Sequence, residues 1–363
     1  MEITNIRLKR IETKLDPPFH AAWDPVPRRS FEATLVFVDT DEGITGVASG
    51  DTMSGFEEYE HLFVGKDSLR ISRHVRTLET IALHAGKFWP VEAALWDILG
   101  KVAGQSVATL FGGSEEKIPA YASCGELKPP EERAESALAL REEGFRAMKI
   151  RIAPNRLEEG IKTVEAARGA VGDTMEIMVD LNEAWRMAGD TSRSIDPKAA
   201  RDIAERLEEL DVFWLEEPLP LTDIEGLRSI RAGSGMRVAG GEMSRTTSEL
   251  FACLEADTLD VYQPDVLVSI GMTRSRTIAE LALAKNRLFT PHTWTNGVGV
   301  LANLHVTAGV GGGPFIEFPY DPPGWTPERR DFMLAEPLKI DDEGCLAIPG
   351  LPGLGAILDE KYS

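Results

Sequence analysis

The alternation of apolar and polar positions changes character near residue 113 of the chain. Before that point, it predicts an α+β unit. The strands of this unit are expected at residues 3–13, 32–38 and 43–47, and its helices at about 57–85 and 90–103. After it, short apolar runs alternate with segments of helical period. The strands predicted there are residues 120–123, 147–152, 176–181, 212–215, 237–240, 261–263, 289–291 and 315–317.

Eight strands with interleaved helices over about 200 residues favour a closed parallel barrel over an open sheet. The predicted crossover helices include residues 130–143, 157–170, 197–210 and 273–284. The last helix, at about 298–310, is rich in glycine and alanine, and no eighth helix is evident. The tail from Asp321 is rich in proline and glycine, and we expect it to run back over the surface.

Composition and charge narrow the kind of partner. The 363 residues carry 59 acidic and 39 basic side chains, and the net charge of −20 argues against nucleic acid or an anionic membrane as a partner. Three cysteines without a CxxC pair indicate reduced thiols, buried as small apolar side chains, in a cytoplasmic protein. Residues 1–11 mix apolar with polar and charged side chains, so no signal peptide is predicted. No stretch of about 20 apolar residues occurs, so no membrane span is predicted.

Three consecutive predicted strands end in carboxylates, at Asp180, Glu216 and Glu242. They are 36 and 26 residues apart (216 − 180 and 242 − 216), about one strand–helix unit each, so they should meet at one mouth of the barrel. Oxygen ligands from adjacent strands suit a hard octahedral cation such as Mg²⁺. One such carboxylate alone could equally cap a helix, but three in register predict a metal site. Asn182 and Glu217 either hold these ligands or are ordinary polar loop residues.

Titratable residues flank this triad. Lys149 and Arg151 are two residues apart on the preceding strand, so both side chains point to the same face of that strand. We expect this face to line the barrel lumen, because the outer face would bury their charges against apolar helices. Asp265 and His292 end the sixth and seventh strands, 27 residues apart (292 − 265). A carboxylate beside an imidazole fixes its tautomer and raises its basicity. Glu317 ends the eighth strand.

A metal ion between a basic pair and a His–Asp pair suits the abstraction of a proton next to a carboxylate. Such a proton is very weakly acidic, so the cations must stabilise the enediolate that forms. The pattern therefore predicts an enzyme that acts on a small carboxylate, with a binding or structural barrel as the alternative.

Over nearly its whole length the chain resembles the enolase superfamily, in particular the mandelate racemase subgroup of the mandelate racemase/muconate lactonizing enzyme family. The segment VEAALWDILGK at 91–101, followed by Gly104-Gln105 and Gly112-Gly113, is similar to the signature that ends the capping domain of that family. The resemblance implies Mg²⁺ ligands at Asp180, Glu216 and Glu242, a catalytic dyad of His292 with Asp265, and an electrophilic glutamate at Glu317.

The resemblance also implies a domain organisation. An α+β capping domain would cover residues 1–115, completed by residues 325–363, and a modified (β/α)7β TIM barrel would cover 116–324. Loops 16–28 and 51–56 are then expected to close over the substrate. The candidate substrate-binding residues are His20, Trp23 and Trp294. Trp185 is a further candidate to line the site, and packing in the core is the alternative for both Trp185 and Trp294. Similar proteins form dimers or octamers, so we expect a homo-oligomer.

One residue departs from the family pattern, which has Lys-x-Lys where this chain has Lys149 and Arg151. A guanidinium stays protonated at physiological pH, so Arg151 is a poor base but a good clamp for a carboxylate. A racemase needs a base on each face, whereas a dehydratase can use His292 alone. The departure favours dehydration of a sugar acid, an aldonate or aldarate, to a 2-keto-3-deoxy acid. A racemase, epimerase or lactone cycloisomerase stays open as the alternative, with Lys149 as a second acid/base or an anchor.

Overall fold

A computed structural model describes residues 1–51 and 53–363. Its first sheet is antiparallel and contains three strands in chain order. The strands are β1 (Ile3–Phe19), β2 (Arg28–Thr40) and β3 (Thr45–Gly50). The loop predicted at residues 16–28 is therefore too long. β1 continues to Phe19, which pairs with Arg28 after a register shift, so only residues 20–27 form the loop. β1 is an edge strand, where prolines are tolerated because their missing N–H is not needed by a second neighbour.

The helical pattern predicted at about 57–85 is wrong in length. Two 3₁₀ turns, Phe56–Glu58 and Glu60–Leu62, come first. Gly65 then has a φ of 76°, in the left-handed region, so a right-handed helix cannot continue through it. The helices of this unit are α1 (Ile71–Ala82), α2 (Trp89–Ala103) and α3 (Val107–Phe111), of which α3 was not predicted.

The second sheet has all eight predicted strands, parallel and in the order β10-β9-β8-β7-β6-β5-β4-β11. They are β4 (Lys117–Ser123), β5 (Ala147–Arg151), β6 (Glu176–Asp180), β7 (Val212–Glu216), β8 (Arg237–Gly240), β9 (Val261–Tyr262), β10 (Leu288–Phe289) and β11 (Ile316–Pro319). A further strand, β12 (Cys345–Ala347), pairs with β4 in the antiparallel sense. The curled parallel sheet next to an antiparallel one confirms the predicted fold class.

Helices separate the barrel strands. They are α4 (Pro130–Glu142), α5 (Leu157–Val171), α6 (Pro197–Glu208), α7 (Ile224–Gly233), α8 (Thr247–Ala256), α9 (Met272–Ala284) and α10 (Gly297–Val310). Only the four-residue α11 (Pro327–Arg330) follows β11, which agrees with a (β/α)7β barrel. Within residues 1–51 and 53–363, no ladder joins β10 to β11. Their ends meet instead through Thr293, whose Oγ1 donates to the backbone oxygen of Glu317 at 2.8 Å.

The 91–101 segment contains two buried carboxylates, each of which joins α2 to another part of the fold. Asp97 accepts the backbone N–H groups of Val47 and Leu354, each at 2.8 Å, and so joins α2 to β3 and to the C-terminal tail. Glu92 accepts both the N–H (2.7 Å) and the hydroxyl (2.6 Å) of Thr273 at the start of α9. The segment thus fastens the antiparallel unit onto the barrel.

The C-terminal tail returns to the first sheet. Met333 and Leu334 pack in one buried cluster with Ile11, Leu35 and Phe37 of β1 and β2. The division of the chain into domains at residues 115 and 325 stays a prediction.

The three cysteines, Cys124, Cys253 and Cys345, are buried and unpaired. Among the described helices, none combines the length and the apolar character that crossing a bilayer requires.

Candidate active site

The barrel register places charged side chains in one row at its carboxyl-terminal mouth. Arg151 on β5 is paired with Asp180 on β6, which is paired with Glu216 on β7. Glu242 lies two residues beyond the end of β8 at Gly240. Apolar residues earlier in each strand fix it in the core, and strand alternation then turns these end residues toward the lumen.

The three predicted carboxylates meet at this mouth. Asp180, Glu216 and Glu242 are buried, and one oxygen of each lies within 4.8 Å of the other two. Each accepts a side-chain hydrogen bond that fixes its orientation. The donors are Asn182 to Asp180 (3.2 Å), Trp185 to Glu242 (2.8 Å) and Gln263 to Glu216 (3.0 Å). This spacing lets a single cation contact all three groups.

Negative charge at the triad is incompletely balanced. The pKa of Glu216 is raised to about 8. Burial and the neighbouring carboxylates raise this pKa, and Lys149 lowers it by a smaller amount. The Oε2 atoms of Glu242 and Glu217 are buried without a hydrogen-bond partner. Glu217 is predicted either to hold these ligands or to be an ordinary polar loop residue. Within the described ranges its side chain forms no hydrogen bond to a triad member, and it adds a fourth buried carboxylate. A divalent cation would supply the missing charge and partner, so these residues fit an oxygen-ligated ion.

Lys149 and Arg151 face the lumen, as predicted, with exposed fractions of 0% and 4%. Lys149 Nζ lies 2.5 Å from Glu216, 2.7 Å from Glu317 and 3.6 Å from Asp180. Arg151 Nη1 donates to Asp180 at 2.5 Å. Burial lowers the pKa of both side chains, but the surrounding carboxylates outweigh it and raise both pKa values. Both residues are therefore cations.

His292 and Asp265 form the predicted pair. Nδ1 of His292 lies 3.1 Å from Oδ2 of Asp265, whose other oxygen accepts a hydrogen bond from Asn303 at 3.4 Å. The opposite ring nitrogen, Nε2, faces the triad, 3.7 Å from Glu242. Burial lowers the pKa of His292, but Glu242 and nearby carboxylates outweigh it and raise the pKa to about 10.

Glu317 lies on β11 beside both groups. Burial raises its pKa, but Lys149 and His292 outweigh this and lower it to about 2. The carboxylate accepts hydrogen bonds from the hydroxyl of Ser123 (2.7 Å) and the backbone N–H of Thr293 (2.6 Å). Glu317 is therefore an ionised acceptor in this structure, and its role as an electrophile stays a prediction.

Of the three predicted substrate-binding residues, two lie at the mouth. The ring of Trp23, in loop 20–27, lies 4.2 Å from the guanidinium of Arg151 and meets the ring of Trp294 edge-on at 4.7 Å. Trp294 itself lies 5.4 Å from the same guanidinium. His20 is exposed at the start of the loop, where its backbone N–H donates to Glu126.

A cavity of about 390 Å³ adjoins the mouth, with Trp23, Arg151, Asn182 and Trp185 in its wall. Its volume falls in the range of sites for small molecules. The other loop expected to close over substrate, residues 51–56, includes Thr52, which lies outside the described residues. Its neighbours in that loop, Met53 and Phe56, are buried in the core.

Several residues that orient the site were missed in the sequence. Trp214 Nε1 donates to Glu216 at 3.0 Å, and Trp214 lies two residues before it on β7. The two-residue spacing between Trp214 and Glu216 was a signal that both side chains face the lumen, as it was for Lys149 and Arg151. Asn303 comes from a helix, where no spacing relative to the strand ends marks it. Trp185 was expected to line the site or to pack, but its hydrogen bond to Glu242 was not predicted.

The fold and the site together define a class: an α/β barrel joined to an antiparallel unit, with an acidic triad facing a His–Asp pair. Two family models match the chain. One is described as the mandelate racemase / muconate lactonizing enzyme N-terminal domain and matches residues 3–112, and the other as enolase C-terminal domain-like and matches residues 132–362. The protein belongs to the mandelate racemase/muconate lactonizing enzyme family of the enolase superfamily, which confirms the resemblance.

Individual relatives differ in their reactions. The chain is 28% identical to D-galactarolactone cycloisomerase of Agrobacterium fabrum, over 98% of this chain and 96% of that protein. It is 29% identical to arabinonate dehydratase of Saccharolobus solfataricus, over 73% and 68% respectively. A racemase from Streptomyces coelicolor A3(2), solved with bound magnesium, matches with a TM-score of 0.83 and 27% identity, over 99% and 98%. The choice of reaction for this chain must therefore come from its own site.

Proposed function

We propose that this protein is a Mg²⁺-dependent acid-sugar dehydratase that converts an aldonate or aldarate to a 2-keto-3-deoxy acid. The observation that carries the proposal is the asymmetry of the site. One face presents the imidazole of His292. The opposite face presents Arg151, whose guanidinium stays protonated at physiological pH, and Lys149, whose ammonium group is enclosed by Glu216, Glu317 and Asp180. A site with one competent base suits elimination better than racemisation, which needs a base on each face.

The proposed metal ligands are Asp180, Glu216 and Glu242, because their oxygens converge and one of them, Glu242 Oε2, lacks a partner. When bound, a magnesium ion would polarise the substrate carboxylate and offset the negative charge that now raises the pKa of His292. The solved Streptomyces relative with bound magnesium supports this choice of metal.

His292 would act twice. Its Nε2 takes the proton from C2, next to the carboxylate, and the electron pair moves into the carboxylate to give an enediolate. The electron pair then returns to form the C2–C3 double bond as the hydroxyl on C3 leaves with the proton that His292 carries, so that water departs. The enol then tautomerises to the 2-keto-3-deoxy acid. Asp265 fixes the ring through Nδ1 and stabilises the imidazolium between the two steps.

Lactone or anhydro-sugar opening is the second candidate. Loss of a ring oxygen from C3 in place of a hydroxyl needs the same single base. The near full-length match to D-galactarolactone cycloisomerase favours it. Cyclic acids would then be the substrates, and open-chain acids would be inert.

The test combines calorimetry with substrates. We expect wild-type protein to bind Mg²⁺ and to form keto acid from at least one member of a panel of aldonates and aldarates, with no product in EDTA. Glu216→Gln should weaken Mg²⁺ binding by at least about 100-fold, because it removes a proposed ligand and even outer partners of metal sites are worth about 10–100-fold. Glu343→Gln is the matched control, since Glu343 belongs to a separate acidic group that Lys117 already neutralises.

Three outcomes would count against the proposal. Product only from lactones or anhydro acids would favour the cycloisomerase. Deuterium entering C2 of recovered substrate, without loss of water, would favour a racemase or epimerase. Equal Mg²⁺ affinity in wild type and Glu216→Gln would remove the metal site from the triad.

A further inference from the structure

We infer that Glu126 is a positioning residue for this site, because it fixes the capping loop, residues 20–27, that carries Trp23 onto Arg151. The inference rests on the proposed function, since it concerns access to the same mouth. It assigns a role to a side chain on the barrel that contacts none of the reacting groups.

The capping loop is joined to the segment that follows β4. Backbone N–H of His20 donates to Oε1 of Glu126 at 3.1 Å. Ala21 forms an isolated antiparallel bridge with Glu126, and the N–H of Ala22 donates to the oxygen of Gly125 at 2.8 Å. Among the hydrogen bonds of this junction within the described residues, the one accepted by the Glu126 carboxylate involves a side chain, and the others join backbone groups.

Asp321 makes the barrel side of this junction rigid. One of its oxygens accepts the N–H groups of Gly125 (3.0 Å) and Glu126 (2.9 Å), and the other accepts Lys128 (2.7 Å) and Arg133 (3.0 Å). Asp321 and Arg133 are 1% and 0% exposed. A buried, fully bonded carboxylate of this kind holds the backbone at residues 125 and 126 in one conformation.

Gly324 leaves room for the Glu126 carboxylate. A Cβ added at Gly324 would lie 2.7 Å from Oε2 and 2.8 Å from Cδ of Glu126. Glycine at this position therefore leaves the space that the carboxylate occupies, and alanine would displace the carboxylate. Because the obstacle is the end of a flexible side chain, the displacement should cost little stability.

The far end of the capping loop reaches the site. Trp23 lies 4.2 Å from the Arg151 guanidinium, whose Nη1 binds Asp180 at 2.5 Å. A shift of the loop at His20 therefore moves the ring that covers a cation of the mouth. Misplacement of about 1 Å far from the chemistry can cost a large factor in rate or affinity.

Three variants test this role: Glu126→Ala, which removes the acceptor, Gly324→Ala, which displaces it, and Glu126→Gln, which keeps an acceptor oxygen. We expect the first two to raise KM for the best acid of the panel by about tenfold with a smaller change in kcat, and Glu126→Gln to recover most of that loss. The fluorescence of Trp23 is obtained by subtracting the spectrum of each variant that also carries Trp23→Phe. Acrylamide should quench this fluorescence more strongly in Glu126→Ala and Gly324→Ala than in wild type. Glu135→Ala, an exposed change on the neighbouring α4, is the control and should alter neither readout.

The outcomes separate this role from a purely structural one. A wild-type KM and unchanged quenching in Glu126→Ala would overturn the inference. So would a lowered melting temperature with a proportional loss of active protein at unchanged KM, or a Glu126→Gln variant as impaired as Glu126→Ala. Absence of activity in wild type would refute the proposed function instead, while the quenching comparison would still report on the loop.

Discussion

Replacing His292 with asparagine should lower kcat by about 10²–10⁴-fold while leaving the fold and Mg²⁺ binding intact. The magnitude is that of a positioned general base. No second base is expected to take its place, because Arg151 keeps its proton at physiological pH and Lys149 is paired with Glu216 and Glu317. Asparagine retains a polar group that can reach Asp265, so the surrounding packing should survive. Steady-state rates on the best substrate of the panel, with calorimetry for Mg²⁺, measure both effects.

The matched control is His84→Asn, since His84 is exposed after α1, away from the barrel mouth. It should keep wild-type rates. A His292→Asn variant with more than a tenth of the wild-type kcat would show that another group takes the proton.

Replacing Lys149 with methionine should lower the free energy of unfolding by about 3–5 kcal/mol in EDTA. Lys149 is fully buried among Glu216, Glu317 and Asp180, so its removal leaves buried carboxylates without their cation. We also expect kcat to fall, because the positive charge next to the reacting carboxylate is lost. Urea denaturation measures the first effect.

Lys162→Met, on the exposed face of α5, serves as the control and should change stability by no more than about 0.5 kcal/mol. If Lys149→Met were as stable as wild type, the carboxylates around Lys149 would not depend on it for charge balance.

The spacing of residues along the chain predicted where these side chains meet, because that placement follows from barrel geometry. Asp180, Glu216 and Glu242 end successive strands, and the period of two placed Lys149 and Arg151 in the lumen. These relations depend only on local structure and on one strand–helix unit at a time.

Contacts between distant segments could not be predicted in this way. Trp23 meets Arg151 only because β1 extends to Phe19 and the loop after it is joined to residues 125 and 126. The length of β1 was misjudged because prolines in an edge strand look like a loop in the sequence. The lowered pKa of Glu317 likewise depends on Lys149 and His292, which lie far from it in sequence.

The most direct test of single-base elimination is to run the reaction in D₂O with Mg²⁺ and follow it by NMR, comparing wild type with His292→Asn. We predict that wild type forms a 2-keto-3-deoxy acid carrying deuterium at C3 and that recovered substrate carries no deuterium at C2. The variant should form neither product nor exchanged substrate. A wild-type protein that binds Mg²⁺ but yields no keto acid and no exchange from any acid of the panel would contradict this account.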